Sequence, residues 1–540
     1  MTRRPAAFSA AVLALFIFGL AGGPAQAVNL TPGTTGEWGA TIAWPIVSVH
    51  AMLTYTGKIL TMQGDFSSGG TQYLYDPATG SNIGVPNAAS DLFCAGQAVL
   101  PDGRIMVIGG TSTSGGLGTT NVNAFNPTSQ GWEVLPGMNH ARWYSTGTTL
   151  GDGRVLVTSG YGNSFSDLVT IPEAYTPSTK TWTDLSNAGK AILVYPFMYQ
   201  LPDGRVLHAG GSEVATATEV LDLTTQTWTT IDSRIIDGAS IVNYAPGKFM
   251  KAGSASDSGN NPDPSSNTAF TLDMSQANPT WQPTGPMQYA RSFVNLTSLP
   301  DGTVLATGGE TDKSGFVNGN AVLPAEVWNP ATGMWSTLAS MSVPRLYHSD
   351  AILLPDGRVW VGGSGGDPGV PDQMTSQIFS PPYLFNGARP VITSVPSKVP
   401  YSSPVFVQTP DAAGITRVSL IRTGSDTHSF DQNARMLPLS FTQAGGGIEV
   451  QMPLNGNYAP PGYYMLFIVN SQGVPSTGAM VQLGTAGVQS GRLPAAQSLP
   501  VTPGSRSSTS QSPPGQPPFR IPAAGGRVGA GILRRRASAV

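Results

Sequence analysis

Five side chains along this sequence have the chemistry of a redox metal centre. Cys94, the only cysteine among 540 residues, stands in S-D-L-F-C-A-G. Tyr144 lies in A-R-W-Y-S, the adjacent pair Tyr347 and His348 in P-R-L-Y-H-S, and His428 in S-D-T-H-S-F. One thiol, two phenols and two imidazoles are the parts of a mononuclear copper site with a modified tyrosine, and imidazole suits copper. These residues are far apart in the chain, so the function turns on whether the elements that carry them converge.

Those elements form a repeat. An apolar residue, a P-D-G-R turn, an alternating apolar strand and a Gly-Gly recur at Leu100, Leu150, Leu201, Leu299 and Leu354, with looser copies at Thr54 and Tyr244. The turn glycines are Gly57, Gly103, Gly153, Gly204, Gly247, Gly302 and Gly357, spaced by about 50 residues, the kelch period. Asp-Gly between apolar strands marks a hairpin, because glycine accepts positive φ there. Outer strands ending in Trp132, Trp182, Trp228 and Trp335 follow, and these indoles are expected to pack between blades. Seven such units predict an all-β, seven-bladed kelch-type propeller over residues 36–385. A-R-W-Y, A-R-S-F and P-R-L-Y place Tyr144, Phe293 and Tyr347 at equivalent positions, converging on the axis. Cys94 precedes its turn by a distance similar to Tyr144, so a contact between these two neighbours is expected.

After Pro381 the repeat stops. Short alternating strands, including G-Y-Y-M-L-F-I-V-N from Gly462, predict an immunoglobulin-like β-sandwich over 388–483. His428 lies in a polar loop of that domain and must reach into the propeller to act as a ligand.

The two ends carry different signals. Arg3 and Arg4, the apolar run Phe8 to Leu20 and the A-x-A at Ala25 to Ala27 predict a signal peptide over 1–27. That apolar run is short for a membrane span, and no later segment is long and apolar enough to serve. A secreted, periplasmic or extracellular protein is expected. With one cysteine it forms no internal disulfide, so stability must come from burial. From 484 to 540 the chain has seven Arg, no Asp or Glu, and abundant Ser, Pro and Gly, which predicts a disordered tail. A formal net charge of −3 gives no reason to expect nucleic acid as a partner.

F-C-A-G at Phe93, A-R-W-Y at Ala141, R-L-Y-H-S at Arg345, L-I-R-T-G-S-D-T-H at Leu420 and P-P-G-Y-Y-M-L-F-I-V-N-S-Q-G-V-P-S at Pro460 occur in order. Through them the chain resembles the galactose oxidase and glyoxal oxidase family of copper-radical oxidases over about residues 36 to 483. The resemblance implies one copper ion held by Tyr144, Tyr347, His348 and His428. It implies a thioether between Cys94 and Tyr144 that carries a tyrosyl radical, with Tyr347 as axial ligand and base. It also implies a family loop that brings His428 into the propeller. A metal lowers the pKa of a phenol it binds, so tyrosinate ligation is available near neutral pH. The implied reaction is oxidation of a primary alcohol, small aldehyde or sugar by dioxygen, with release of hydrogen peroxide.

Each residue alone has an ordinary explanation. A lone cysteine is often a small buried hydrophobe, and a buried tyrosine often a packing residue with a satisfied hydroxyl. The rival to an oxidase is a kelch propeller that binds a carbohydrate or partner on its surface without catalysis, since fold does not fix function. A hydrolase would need paired carboxylates in the channel, and no motif marks them. His50, His140 and His208 match no ligand of the family and are read as structural or surface residues. The stretch Ser159 to Gly162 holds Tyr161 where galactose oxidase has a tryptophan over its cross-linked tyrosine. Arg234 is the candidate for a substrate-gripping arginine.

Overall fold

The computed structural model describes residues 31–63, 71–112, 117–255, 263–314, 318–366 and 370–484. The expected signal peptide and almost all of the expected tail lie outside the described residues. No helix among the described residues is long and apolar enough to cross a membrane.

The P-D-G-R turns explain the repeat locally. Gly103 has φ 87° and Gly153 φ 87°. Asp102 accepts from the Arg104 backbone N–H at 3.0 Å and from its Nε at 2.8 Å. Asp152 with Arg154 and Asp203 with Arg205 repeat the pattern. Each turn therefore ties its aspartate to the first residues of the next strand. The second repeat shows the resulting meander: Gly96–Val99, Ile105–Ile108, Val122–Asn126 and Gly131–Leu135, all antiparallel.

Seven sheets are built on such meanders among the described residues. Their innermost strands lie side by side. Thr146–Thr149 touches both Gly96–Val99 and Pro196–Gln200, and Ser349–Leu353 touches His50–Leu53. This is a kelch-like propeller. The ring closes through the start of the chain: Glu37–Trp38 and Ile42–Ala43 pair with Thr375–Ser380 of the last repeat. The outer-strand tryptophans act as expected between blades. Trp132 donates to Val85 O, Trp182 to Pro136 O and Trp228 to Ala188 O, at 2.7, 2.8 and 2.9 Å. In the closing sheet Trp38 donates likewise to Ala339 O.

The arginine of the A-R-x-Y motifs is a clip inside its blade. Arg142 is buried, donates to Ser159 O at 2.7 Å, and pairs with buried Glu173 at 2.8 Å. Arg291 does the same with Gly308 O and Glu326. Arg345 donates to Gly363 O and Thr375 Oγ1, with buried Asp350 near enough to act on its charge.

The sandwich comprises a five-stranded sheet centred on Ile415–Arg422 and Gly462–Asn470, and a three-stranded sheet, Pro404–Gln408, Gly447–Gln451 and Phe441–Ala444. Val407, Leu420, Ile448 and Leu466 pack between them. From this domain the hairpin Ser425–Thr427 and Phe430–Asp431 enters the propeller and adds to its first sheet, with Ala51 opposite Asp426 and Met52 opposite Ser425.

The buried Arg142–Glu173 pair and the buried His50 each have a measurable consequence. Arg142→Ala leaves Glu173 buried and unpaired, and should cost about 3–5 kcal/mol in a denaturant titration. Burial holds the His50 imidazole neutral, with its pKa lowered to about 3. Between pH 6.5 and 3 the unfolded chain binds the extra proton, so the His50 contribution is lost as pH falls through that window. The wild-type thermal midpoint should accordingly drop more steeply there than that of His50→Gln.

Candidate metal centre

Seven positions head the inner strands, each six residues before the first residue of its turn motif: Ser48, Cys94, Tyr144, Tyr195, Gly238, Phe293 and His348. Five of them have left-handed backbone: Cys94 φ 53°, Tyr144 66°, Tyr195 43°, Phe293 50° and His348 63°. This turns the side chain toward the axis just before the strand begins. Hydrogen bonds link neighbouring blades at this level, from Tyr144 N–H to Cys94 O at 2.8 Å and from Tyr195 N–H to Tyr144 O at 3.0 Å.

The structure corrects one expected equivalence. The position matching Tyr144 and Phe293 is His348, and Tyr347 stands one residue earlier. The cause is a turn from Leu346 to Ser349, closed by Ser349 N–H to Leu346 O at 3.0 Å. One residue more separates Arg345 from the first residue of its turn motif, Leu354, than separates Arg142 from Leu150 or Arg291 from Leu299, and two consecutive side chains reach the site.

All five expected residues converge. The hydroxyls of Tyr144 and Tyr347 are hydrogen-bonded to each other. His348 Nε2 lies 3.0 Å from His428 Nε2, and Cys94 Sγ lies 3.7 Å from that same nitrogen. The ligating atoms of Cys94, His348 and His428 fall within 4.8 Å of one another. Tyr347 stacks on His348 with centroids 3.9 Å apart, and Tyr144 lies 4.8 Å from the His428 ring. Cys94 and Tyr144 share one apolar cluster with Phe93, Trp143 and Tyr195.

The hairpin holds His428 with bonds to several blades. Thr427 Oγ1 donates to Val49 O at 2.7 Å, and Asp426 accepts from Ala351 N–H at 2.7 Å. Gln432 Oε1 accepts from Gln97 N–H and Gly147 N–H, and Ser429 O accepts from Ser240 Oγ.

These bonds also set the histidine tautomers. His348 Nδ1 faces Gly365 O at 2.7 Å, and a carbonyl only accepts, so Nδ1 carries the proton. His428 Nδ1 faces Thr427 Oγ1 at 2.7 Å, and that hydroxyl has already given its hydrogen to Val49 O. In neutral rings both Nε2 atoms are therefore acceptors, facing each other at 3.0 Å with Cys94 Sγ beside that of His428. Facing lone pairs repel unless a proton or cation lies between them, and oriented imidazoles of this kind are how proteins prepare metal ligands. Two imidazoles, two phenols and a thiol in one buried spot fit copper.

Two residues escaped the sequence reading. Tyr195 packs 4.7 Å from Tyr144 and 4.4 Å from His428, and donates to Ala95 O at 3.0 Å. Burial first, then the neighbouring Cys94 and Tyr347, hold its phenol well above the usual range. Its blade lacks the A-R motif, but the six-residue spacing to Leu201 marks it. Trp143, next to Tyr144 in sequence, is the indole nearest the phenol in contact terms, with centroids 4.0 Å apart and planes at 55°. Tyr161 sits behind it, 6.4 Å from Trp143. Arg234 is ion-paired with Asp232 and donates to Trp281 O, on the chain leaving an outer strand. His140 lies near Asp184 and His208 near Glu219, in other parts of the fold.

Comparison with known proteins agrees with this geometry. Residues 246–383 match the family model of the glyoxal oxidase N-terminus, and 389–483 that of the galactose oxidase-like early set domain. A galactose oxidase of Gibberella zeae is 29% identical over 489 residues, covering 83% of this chain and 70% of the relative. An aldehyde oxidase of Arabidopsis thaliana is 34% identical over 239 residues, 39% of this chain and 38% of the relative. A fungal alcohol oxidase solved in complex with copper superposes with a TM-score of 0.74 at 27% identity, covering 84% of this chain and all of that one. Over most of its length the chain is thus similar to galactose oxidase and to a copper-bound alcohol oxidase, and its two matched segments are those of the glyoxal oxidase N-terminus and the galactose oxidase-like early set domain.

Proposed function

We propose that this chain is an exported copper-radical oxidase that converts a primary alcohol to the aldehyde, or a small aldehyde to the acid, with dioxygen as acceptor and hydrogen peroxide as co-product. The observation that carries this reading is the convergence of His348 and His428, with Nε2 atoms 3.0 Å apart, on Cys94 and two mutually bonded phenols. In this reading His348, His428, Tyr144 and Tyr347 hold one copper ion. Bound copper supplies one-electron redox cycling next to the substrate oxygen.

Alcohol oxidation removes two electrons and two protons, so a second one-electron store is required. Tyr144 serves as that store. A thioether to Cys94, ortho to the phenol oxygen, makes the phenoxyl radical easier to form and to keep. Making that link replaces one S–H and one ring C–H by a C–S bond. The two electrons and two protons released reduce dioxygen to hydrogen peroxide. In turnover Tyr347 takes the hydroxyl proton as general base. The Tyr144 oxygen is placed to take a hydrogen atom from the carbinol carbon, and a copper ion held by these residues would supply the second one-electron acceptor. Dioxygen then recovers both electrons and both protons and leaves as hydrogen peroxide. An aldehyde enters as its hydrate, which supplies the same H–C–O–H unit. Burial of the site excludes water from the radical.

Copper-loaded protein incubated in air should weigh two hydrogens less than its sequence mass, with the Cys94 and Tyr144 peptides joined. Unlinked peptides and a free thiol would remove the radical assignment. Cys94→Ser should retain copper while losing most radical signal and most peroxide production. His428→Ala should weaken copper binding by more than about 100-fold, and Thr427→Val, which frees the tautomer, by about 10-fold, in a chelator competition. Undiminished copper affinity in His428→Ala would place the metal elsewhere.

A further inference from the structure

At the turn end of two inner strands, Thr146–Thr149 and Pro196–Gln200, the propeller meets the sandwich across a small cavity. Its volume, as space open to the centre of a water-sized sphere, is about 10 Å³. That is room for one water molecule or one monatomic ion. Thr148, Tyr199 and Gln200 line it from the propeller, and Arg422, Gln432 and Arg435 from the sandwich. All six are buried.

The lining carries more positive than negative charge. The bonds made by its two guanidiniums go to carbonyl oxygens. Arg435 Nη1 donates to Tyr458 O at 3.0 Å and Nη2 to Gln200 O at 2.8 Å. Arg422 Nη2 makes only long bonds, to Val99 O at 3.3 Å and Pro461 O at 3.5 Å. Burial lowers the pKa of both, that of Arg435 to about 10, and the Arg422 charge adds to the effect on Arg435. Asp431 is the carboxyl whose charge acts on Arg422, and its Oδ1 accepts from Ser425 N–H and Asn433 N–H at 2.7 and 3.0 Å. One carboxyl thus stands against two guanidiniums.

Three groups on the lining have hydrogens to give and no acceptor: Arg422 Nε, Gln432 Nε2 and Thr148 Oγ1. The Gln432 amide cannot be turned round, because its Oε1 accepts from Gln97 N–H and Gly147 N–H at 3.1 and 3.2 Å. An orphaned buried donor is costly, and more so on a charged group. A water molecule accepts two bonds and must place two hydrogens of its own. A monatomic anion accepts from every side and offsets the unmatched guanidinium charge at the same time. Sulfate and phosphate are too large for the space.

We propose that this cavity is a halide site, in which chloride accepts from Arg422 Nε, Gln432 Nε2 and Thr148 Oγ1. Gln432 directly follows the hairpin strand Phe430–Asp431, so the ion pins the hairpin that carries His428 to the propeller. The site lies apart from the redox cluster and does not depend on the oxidase reading.

Two measurements on the copper-loaded full chain test this. Crystals grown in sodium bromide should show anomalous scattering from one bromide ion among Arg422, Gln432 and Thr148. Replacing gluconate by chloride at fixed ionic strength should raise the thermal midpoint by about 2 °C or more, along a saturating curve. Thr148→Val keeps the shape of the side chain and removes one donor, and should cut that rise at least by half. A cavity holding only water in bromide-grown crystals, or equal midpoints in chloride and gluconate, would overturn the proposal. So would a rise that Thr148→Val leaves unchanged, since the halide would then act elsewhere, at bound copper for instance.

Discussion

Left-handed backbone at the head of the inner strands is the constraint on which the site depends. For residues other than glycine this conformation costs about 1–2 kcal/mol each. Cys94, Tyr144, Tyr195, Phe293 and His348 all adopt it. Glycine would relax the backbone but would delete the thiol, phenol or imidazole that the position exists to present. The strain is held by lateral bonds between blades and by arginine clips such as Arg142 on Ser159 O. The same clips keep guanidiniums away from the axis, so the rigidity of the ring and the apolar character of the site have one origin.

The second requirement is the hairpin from the sandwich. His428 comes from another domain, yet it is fixed as part of a propeller sheet, because Ser425–Thr427 pairs with His50–Leu53. Phe430 on the returning strand packs among Phe197, Tyr199, Ile241 and Phe249. The hairpin thus brings His428 to Cys94, Tyr144, Tyr347 and His348. The sandwich thus contributes a side chain to a cluster otherwise built by the propeller.

Much of this was legible in the sequence because the repeat carries its own ruler. The turn motifs gave the sheets, and the residue types gave the five converging side chains. Registration by the A-R motif misplaced Tyr347 by one residue, because the extra turn at Leu346 to Ser349 has no sequence mark that the arginine can show. Registration by the turns would have found His348 as the equivalent and Tyr195 as an additional neighbour. The role of Trp143 was hidden by adjacency: alternation suggests that consecutive residues face apart, but positive φ at Tyr144 breaks alternation there. Arg234 carried only its charge as a signal, and Asp232 accounts for that charge.

Closure of the ring by Glu37–Trp38 against Thr375–Ser380 has a consequence for the order of events during synthesis. Cys94, Tyr144 and Tyr195 emerge early, whereas His348 and His428 emerge only after most of the propeller has been made. No growing chain can assemble the full cluster before His428 has been made, beyond the strand that closes the ring. Convergence of the five side chains therefore reports that both the closing strand and the hairpin of the sandwich are in place.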